Sequence, residues 1–497
     1  MLRSMIVRIT LALCLFAFSA FADEAATAER FERLREDPLL LRRFLEQMPK
    51  GGDLHNHLSG AAYAETYIRL GASDGLCVDT QTLAYTSCTA GSTTQIPAAQ
   101  ALTDSRLYSR LLDAMSMRQF RAIGESGHDH FFAAFVKFAA VSREHTSELL
   151  TEVVSRLASE NVDYLEALFG QDRGAARELG RAFASGTPFQ EMREAMLKSG
   201  DAAEVVSASR KTIDAAEAHR RANLGCGTAE PQPGCDSTVR YLFETHRAFP
   251  REQLFAELLV GFELAKADSR VVGLNVVQPE DSYASMTTFD ELMRMFAYLR
   301  PLYPGVRVST HAGELAPGLV PPEGMRNHIR DSVMIASAER IGHGVDIARE
   351  TGALELLRTM AARPVAVEVC LTSNDVILGV SGRQHPLRLY LRSGVPVVLA
   401  TDDPGVARTD MTTEWQRAAE EHGVSYADLK RFARNSIEYS FIEGASLWSS
   451  RDYRSYVPAC TDTRADSCKS YLNGSPKARV QMRLEQRLRE FEESELQ

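Results

Sequence analysis

The chain has 497 residues, 44% of them hydrophobic and 25% charged, an ordinary globular composition with enough length for a large core. Its 56 Lys and Arg stand against 66 Asp and Glu, a formal charge of −10. That acidic balance argues against a general nucleic-acid binder, which needs basic side chains to neutralise phosphates.

At the N-terminus, Arg3 and Arg8 precede an apolar run over residues 9–18, and Ala20-Phe21-Ala22 forms an A-x-A site before Asp23-Glu24. Residues 1–22 read as a secretory signal peptide, too short for a stable membrane span. No later stretch approaches 18 uninterrupted apolar residues. The mature chain is therefore expected to be exported, to the periplasm or the medium, and to have no membrane association. Losing two arginines and no acids takes its formal charge to −12. Of eight cysteines, Cys14 leaves with the signal, and six others form the close pairs Cys77/Cys88, Cys226/Cys235 and Cys460/Cys468 in polar, loop-like stretches. Local disulfides are the natural reading in an oxidising compartment. Zinc ligation is the alternative, although the spacings do not resemble CxxC. Cys370 stands alone in an apolar run and reads as a buried thiol.

Residues 23–47 form a charged helical extension, ended by Pro49 and a glycine pair. A barrel region is expected over 48–445, with a loop insertion near 71–105 that carries Cys77 and Cys88, and a helical pattern over 106–160. The first strand candidate is "GDLHNHL". The others are "VDYLEALF" (162–169), "VRYLFETHR" (239–247), "VVGLNVV" (271–277), "VRVSTHAGE" (306–314), "RIGHGV" (340–345), "VAVEVCLTSN" (365–374) and "PVVLATDDPG" (396–405). Helical patterns over 251–267, 287–299, 351–362 and 412–421 lie between them. Residues 446–497 read as a helical, disulfide-bearing segment packed on the barrel. Strand–helix alternation with near-continuous apolar strands means a parallel sheet covered by helices, and eight such units suggest a closed α/β TIM barrel, (β/α)₈. An open doubly wound sheet would not gather eight strand ends around one point.

Polar residues stand at the C-terminal ends of these runs, where barrel active sites form. His55 and His57 lie one residue apart, and the period of two in a strand sends both rings to one face. Alone, the pair is either incidental or two ligands of one ion. His311 on the fifth run and Asp402 on the eighth, a neighbour of the first in a closed barrel, complete a three- or four-ligand set of the kind Zn²⁺ takes. Together they point to a metal-bearing barrel. The His128–His130 pair in "GHDHF" lies in a helical pattern that points its rings apart, and reads as surface or pocket rim.

"MPKGGDLHNHLSG", "STHAGE", "RIGHGV", "VEVCLTSN" and "VVLATDDPG", in that order over roughly 48–440, resemble the motifs of the adenosine deaminase family of amidohydrolases. Export, the "MPKG" lead-in, the Cys-bearing loop and "THR" at 245–247 look more like the secreted adenosine deaminase growth factor branch. The resemblance implies one Zn²⁺ per chain and hydrolytic deamination of a purine nucleoside, with a possible homodimer. It implies that Glu314 donates a proton to purine N1, that His343 orients and deprotonates the attacking water, and that Asp402 both binds zinc and hydrogen-bonds the hydroxide. Asp403 matches the group that meets N7, and His246 a histidine that reaches the ribose. Two positions depart from the family. Ser59 stands where an acid touches the ribose, and Gln278-Pro279 replaces Gly-Asp, whose glycine amide meets N3. Both touch recognition, so reaction type is firmer than substrate. Adenosine, with 2′-deoxyadenosine, is the expected substrate, ahead of another 6-aminopurine or an N6-substituted one. An extracellular binding or signalling factor is the reading outside enzymology. No lysine ends the fourth run, so a bridging carbamylated lysine is not available there, which favours one metal. The H-x-E plus PCxxC signature of cytidine-type deaminases is absent.

Overall fold

Eight short parallel strands carry the site: β1 (Gly51–His57), β2 (Val162–Phe169), β3 (Thr238–His246), β4 (Val271–Val277), β5 (Arg307–Ala312), β6 (Arg340–His343), β7 (Ala366–Val369) and β8 (Val397–Leu399). A computed structural model of the chain describes residues 24–495; the expected signal, residues 1–22, lies outside them. Each strand pairs in parallel with its successor. Closure comes at one point. Asn56 bridges to Asp402, with the His57 amide donating to the Asp402 carbonyl at 2.9 Å and the Asp402 amide to the His55 carbonyl at 2.8 Å. Helices cover the outside, so the chain is a (β/α)₈ barrel, and the three cysteine pairs are disulfides as expected. Cys370 is a free, buried thiol. Among the described residues no helix is long and apolar enough to cross a membrane.

The strands differ from expectation in length. The seventh run ends as a strand at Val369 and continues as a helix, Leu371–Leu378, while the eighth ends at Leu399. Apolar character runs past the seventh strand's end through Cys370 and Leu371, and the polar residues after the eighth are buried too, so neither apolarity nor burial marks where these strands stop. The insertion near 71–105 holds a small antiparallel sheet of Cys77–Asp79, Tyr85–Thr86 and Gln95–Pro97, whose strands are too short to show a period. Three further helices, Ala175–Gly180, Phe189–Ser199 and Asp201–Asn223, lie between β2 and β3.

The barrel interior is apolar in part, with Leu168, Leu242 and Val277 clustered beside Phe441. It also holds charge. The Arg340 guanidinium bonds Glu166 at 2.6 Å on one side and Glu368 on the other, all three fully buried, and lies 3.7 Å from the Phe441 ring centroid. Tyr164 donates to Glu166 at 2.7 Å. Below the barrel, Phe31 and Phe44 pack on Tyr426, and Phe44 on Phe491, so the N-terminal extension is seated against the C-terminal helix Pro476–Ser494. Breaking a buried ion set by removing one member leaves uncompensated charge. Arg340→Met is therefore expected to destabilise the fold by about 3–5 kcal/mol, seen as a lower midpoint of urea unfolding at neutral pH.

Candidate active site

Four buried side chains converge at the β1–β8 seam. The ligand atoms of His55, His57, His311 and Asp402 lie within 4.8 Å of one another. His311 Nε2 is 3.1 Å from His55 Nε2 and 3.2 Å from His57 Nε2, and Asp402 Oδ1 is 3.4 Å from each of the latter two. Ligands about 2.0–2.1 Å from a tetrahedral Zn²⁺ would be separated by roughly 3.3 Å, so the spacing fits that ion. Every imidazole is turned by a partner on its other nitrogen. His55 Nδ1 meets Glu368 at 2.7 Å, His57 Nδ1 meets Glu244 at 2.9 Å, and His311 Nδ1 meets the Asn275 side-chain oxygen at 2.8 Å. With Nδ1–H donating in each case, every Nε2 lone pair is left facing the common point. A Cβ at Gly342 would come 2.6 Å from the His55 ring, so glycine beside His343 lets β6 pass the ligand.

Beside the cluster, Glu314, His343 and Asp402 form a second buried group, with His343 Nε2 3.6 Å from Glu314 Oε1. Glu280 accepts from the amides of Gly313 and Glu314, at 3.1 and 2.8 Å, and pins the arm that carries Glu314. Burial, then the negative charges of Asp402 and Glu280, pushes the Glu314 carboxyl well above its ordinary range. Burial pushes His343 down to about 4, against the opposing pull of Asp402. One group is thus an acid and the other a neutral imidazole at pH 7. Asn374 reaches His343 Nδ1 at 2.9 Å, and His385 in turn reaches Asn374 at 3.0 Å. Burial and Asp402 also raise Asp403 well above the carboxylate range. His343 Nε2 and Asp403 Oδ1 are buried with no partner. A Cβ on Gly60 would overlap Asp403 Oδ1, so the first-strand turn is cut to fit this carboxyl.

The remaining expected residues line the mouth. Ser59 is half-buried just beyond β1. Gln278 sits at φ 84°, and its side-chain oxygen accepts from the Ala248 amide at 2.9 Å, so that oxygen is engaged by backbone. His246 Nδ1 meets Glu257 at 3.2 Å, leaving Nε2 free. The helix Gly127–Ser142 packs over Leu58–Ala61, Leu371–Leu378 and Pro404–Ala407 and roofs the mouth. At its start His128 reaches across to Asp281 at 2.9 Å, a rim position as expected. His130, two residues on, is instead buried, bonded to Glu125 at 2.7 Å and to backbone oxygens of Asp113 and Ser116. Sequence reasoning missed Glu244, Asn275, Glu280 and Glu368. The only signals were an acid or amide inside an apolar strand for Glu244, Asn275 and Glu368, and the two-residue offset of Glu244 from His246; Glu280 lies beyond its strand's end and carried none.

Fold and site together define an amidohydrolase-type barrel, with hydrolytic residues gathered at the C-terminal ends of the strands. The family model described as adenosine deaminase matches residues 111–447, and the chain belongs to the adenosine deaminase family. An adenosine deaminase of Shewanella loihica is 37% identical over 139 residues, 28% of this chain and 39% of that protein. An adenine deaminase of Ralstonia nicotianae is 33% identical over 183 residues, 36% of this chain and 48% of that protein. Each alignment spans less than half of the relative. A zinc-bound amidohydrolase structure from Burkholderia ambifaria shares the fold at TM-score 0.51 and 16% identity, covering 90% of this chain and 94% of that one. Because Asn275 orients His311, Asn275→Ala is expected to weaken Zn²⁺ binding about 10–100-fold. Competition with a chromophoric chelator measures this, and unchanged affinity would show that Asn275 is not what orients His311.

Proposed function

We propose that the protein is a zinc-dependent adenosine deaminase that converts adenosine and 2′-deoxyadenosine to inosine or deoxyinosine and ammonia. The observation that carries this reading is that buried Glu314 and His343, 3.6 Å apart, stand together beside Asp402 at the rim of a four-residue cluster that could hold a metal ion. One Zn²⁺ per chain, held by His55, His57, His311 and Asp402, would supply a Lewis acid that makes water nucleophilic at neutral pH. Glu314 gives its proton to the ring nitrogen that gathers electrons as the 6-position is attacked. His343 is held in one tautomer. The Leu387 amide donates to His385 Nδ1, His385 Nε2 donates to the Asn374 oxygen, and the Asn374 amide donates to His343 Nδ1. The neutral ring then carries its proton on Nε2, so in place of the proton removal that the family resemblance implies, His343 orients the attacking oxygen by donating to it while the Asp402 carboxylate accepts. Asp403, kept protonated by burial, offers a donor to purine N7.

Two departures favour a second reading, deamination of another 6-aminopurine or an N6-substituted one. Ser59 is a hydroxyl where the family carries an acid, and Gln278 occupies the place of a glycine; an adenine deaminase also stands among the relatives. Three disulfides and the N-terminal signal pattern support export, to the periplasm or the medium. The test is ultraviolet absorbance with adenosine, 2′-deoxyadenosine, adenine, AMP and N6-methyladenosine, on protein whose zinc is quantified. Adenosine is expected to turn over best at one zinc per chain; a zinc-loaded protein idle on all five would refute the proposal. Glu314→Gln is expected to lower kcat about 10²–10⁴-fold with zinc retained, whereas a binding or signalling factor would keep its effect.

A further inference from the structure

We propose that a cavity at the N-terminal end of the barrel, opposite the catalytic mouth, binds an organic phosphate, a small molecule with a phosphate group for the cavity's arginines and a less polar body for its apolar wall. The site is separate from the deamination chemistry and does not depend on that reading. The cavity, about 470 Å³, opens between the start of β3, Arg270 at the foot of β4, the helix Asp201–Asn223 and the first turns of the helix Pro476–Ser494. Small-molecule sites run from roughly 300 to 1,000 Å³, so it is large enough for such a ligand. Five arginines line it, Arg220, Arg240, Arg270, Arg479 and Arg483, against one acid, Glu217. In a chain with a formal charge of −10, that excess runs against the average of the surface. Val239, Ile442 and Val480 supply the apolar wall.

Pairing decides which arginines are available. Arg220 is buried and spent, with Nε and Nη2 on Glu217 and Nη1 on the Gly234 carbonyl at 2.7 Å. Arg270 meets Asp268 at 2.6 Å and Asp214 at 2.7 Å. Arg240 meets Glu443 at 3.0 Å, but that carboxylate is 48% exposed, and so open a pair holds its arginine weakly. Arg479 and Arg483 differ from the other three. Arg479 Nη1 donates to the backbone carbonyls of Leu472 and Asn473, at 2.8 and 2.9 Å, and Arg483 Nη1 to that of Asp236 at 2.7 Å. Among the described residues neither guanidinium has a carboxylate partner, and the Nε and Nη2 groups of both remain unused. Four residues apart on one helix, the two lie on the same face, where like charges repel. The dianion of a phosphate ester brings the two negative charges this pair lacks, and the flat fork of a guanidinium matches phosphate oxygens two at a time. The apolar wall beside them favours an ester over the bare ion, and the concave shape favours a small molecule over a polymer.

The alternative is a solvated basic patch that holds nothing. Calorimetry on the full protein separates the two, at about 0.15 M salt so that attraction between exposed charges is screened. The probes are UMP, which carries no 6-aminopurine, and uridine, inorganic phosphate and a heparin oligosaccharide. UMP is expected to bind about 10-fold or more tightly than uridine or inorganic phosphate. The double variant Arg479→Gln/Arg483→Gln is expected to weaken UMP binding by about 10-fold or more, the scale of lost charged hydrogen bonds. Arg181→Gln/Arg294→Gln, which removes the same charge at exposed positions outside the cavity, should change it by less than about twofold. UMP that fails to bind, binds no better than inorganic phosphate, or binds the Arg479/Arg483 variant as tightly as wild type overturns the proposal. So does a heparin oligosaccharide bound in place of UMP, which would make the patch a track for a polymer. The comparison of UMP with uridine and inorganic phosphate on wild type decides the matter even if the double variant fails to fold. No turnover is read, so an outcome here leaves the deamination reading to its own test.

Discussion

Glu368 shares its two carboxylate oxygens between Arg340, which also grips Glu166, and His55 of the ligand cluster. Taking these charges out of water is expensive, and only near-complete pairing offsets it. Burial would raise the Glu368 carboxyl, but Arg340 and His55 overcome it and hold the group down to about 2. It therefore stays ionised at neutral pH, and one of its oxygens dictates which His55 nitrogen faces the site. The reaction end of the barrel is in this sense built from its middle: the interior ion set needs a cationic or donor partner at His55, and the site needs His55 turned outward. Glu244 and Asn275 do the same service for the other two histidines from β3 and β4.

Part of the chain's left-handed, strained backbone falls at the same place. His343 has φ 67°, Asp402 φ 61° and Gln278 φ 84°, left-handed backbone that side chains other than glycine adopt at a cost of about 1–3 kcal/mol each. At Asp402 the closing bonds of the barrel over-determine the backbone, since its amide and carbonyl both bond to β1. At His343 the next residue, Gly344, donates to the Ala312 carbonyl at 3.1 Å and holds the turn. Such positions re-aim a side chain away from the strand direction, and here they aim an imidazole and a carboxylate at the centre of the mouth.

Much of this was legible in the chain itself. His55 and His57 declare one face through a spacing of two, and His311, His343 and Asp402 each end an apolar run, so the barrel and its ligand set emerge from pattern alone. Roles needed the family motifs around Glu314 and His343. What stayed hidden has physical causes. Glu244 and Glu368 are acids within apolar strands, and nothing local says that each will meet a histidine from a distant segment. Val369 ends a strand and Leu371 starts a helix within one unbroken apolar stretch, because both are buried. The helices between β2 and β3 and the two- and three-residue strands of the small sheet carry too little periodic signal to stand out from loops. Gln278 was marked as a departure, but its bond to the Ala248 amide depends on a backbone conformation that no pattern reveals.

The single closing contact between β1 and β8 places three of the four ligand residues on the joint that makes the barrel a barrel. A substitution there is penalised twice, once in the metal-binding cluster and once in barrel closure. His246 and Gln278, by contrast, take no part in closure, so the molecules the mouth admits can change without loosening that joint.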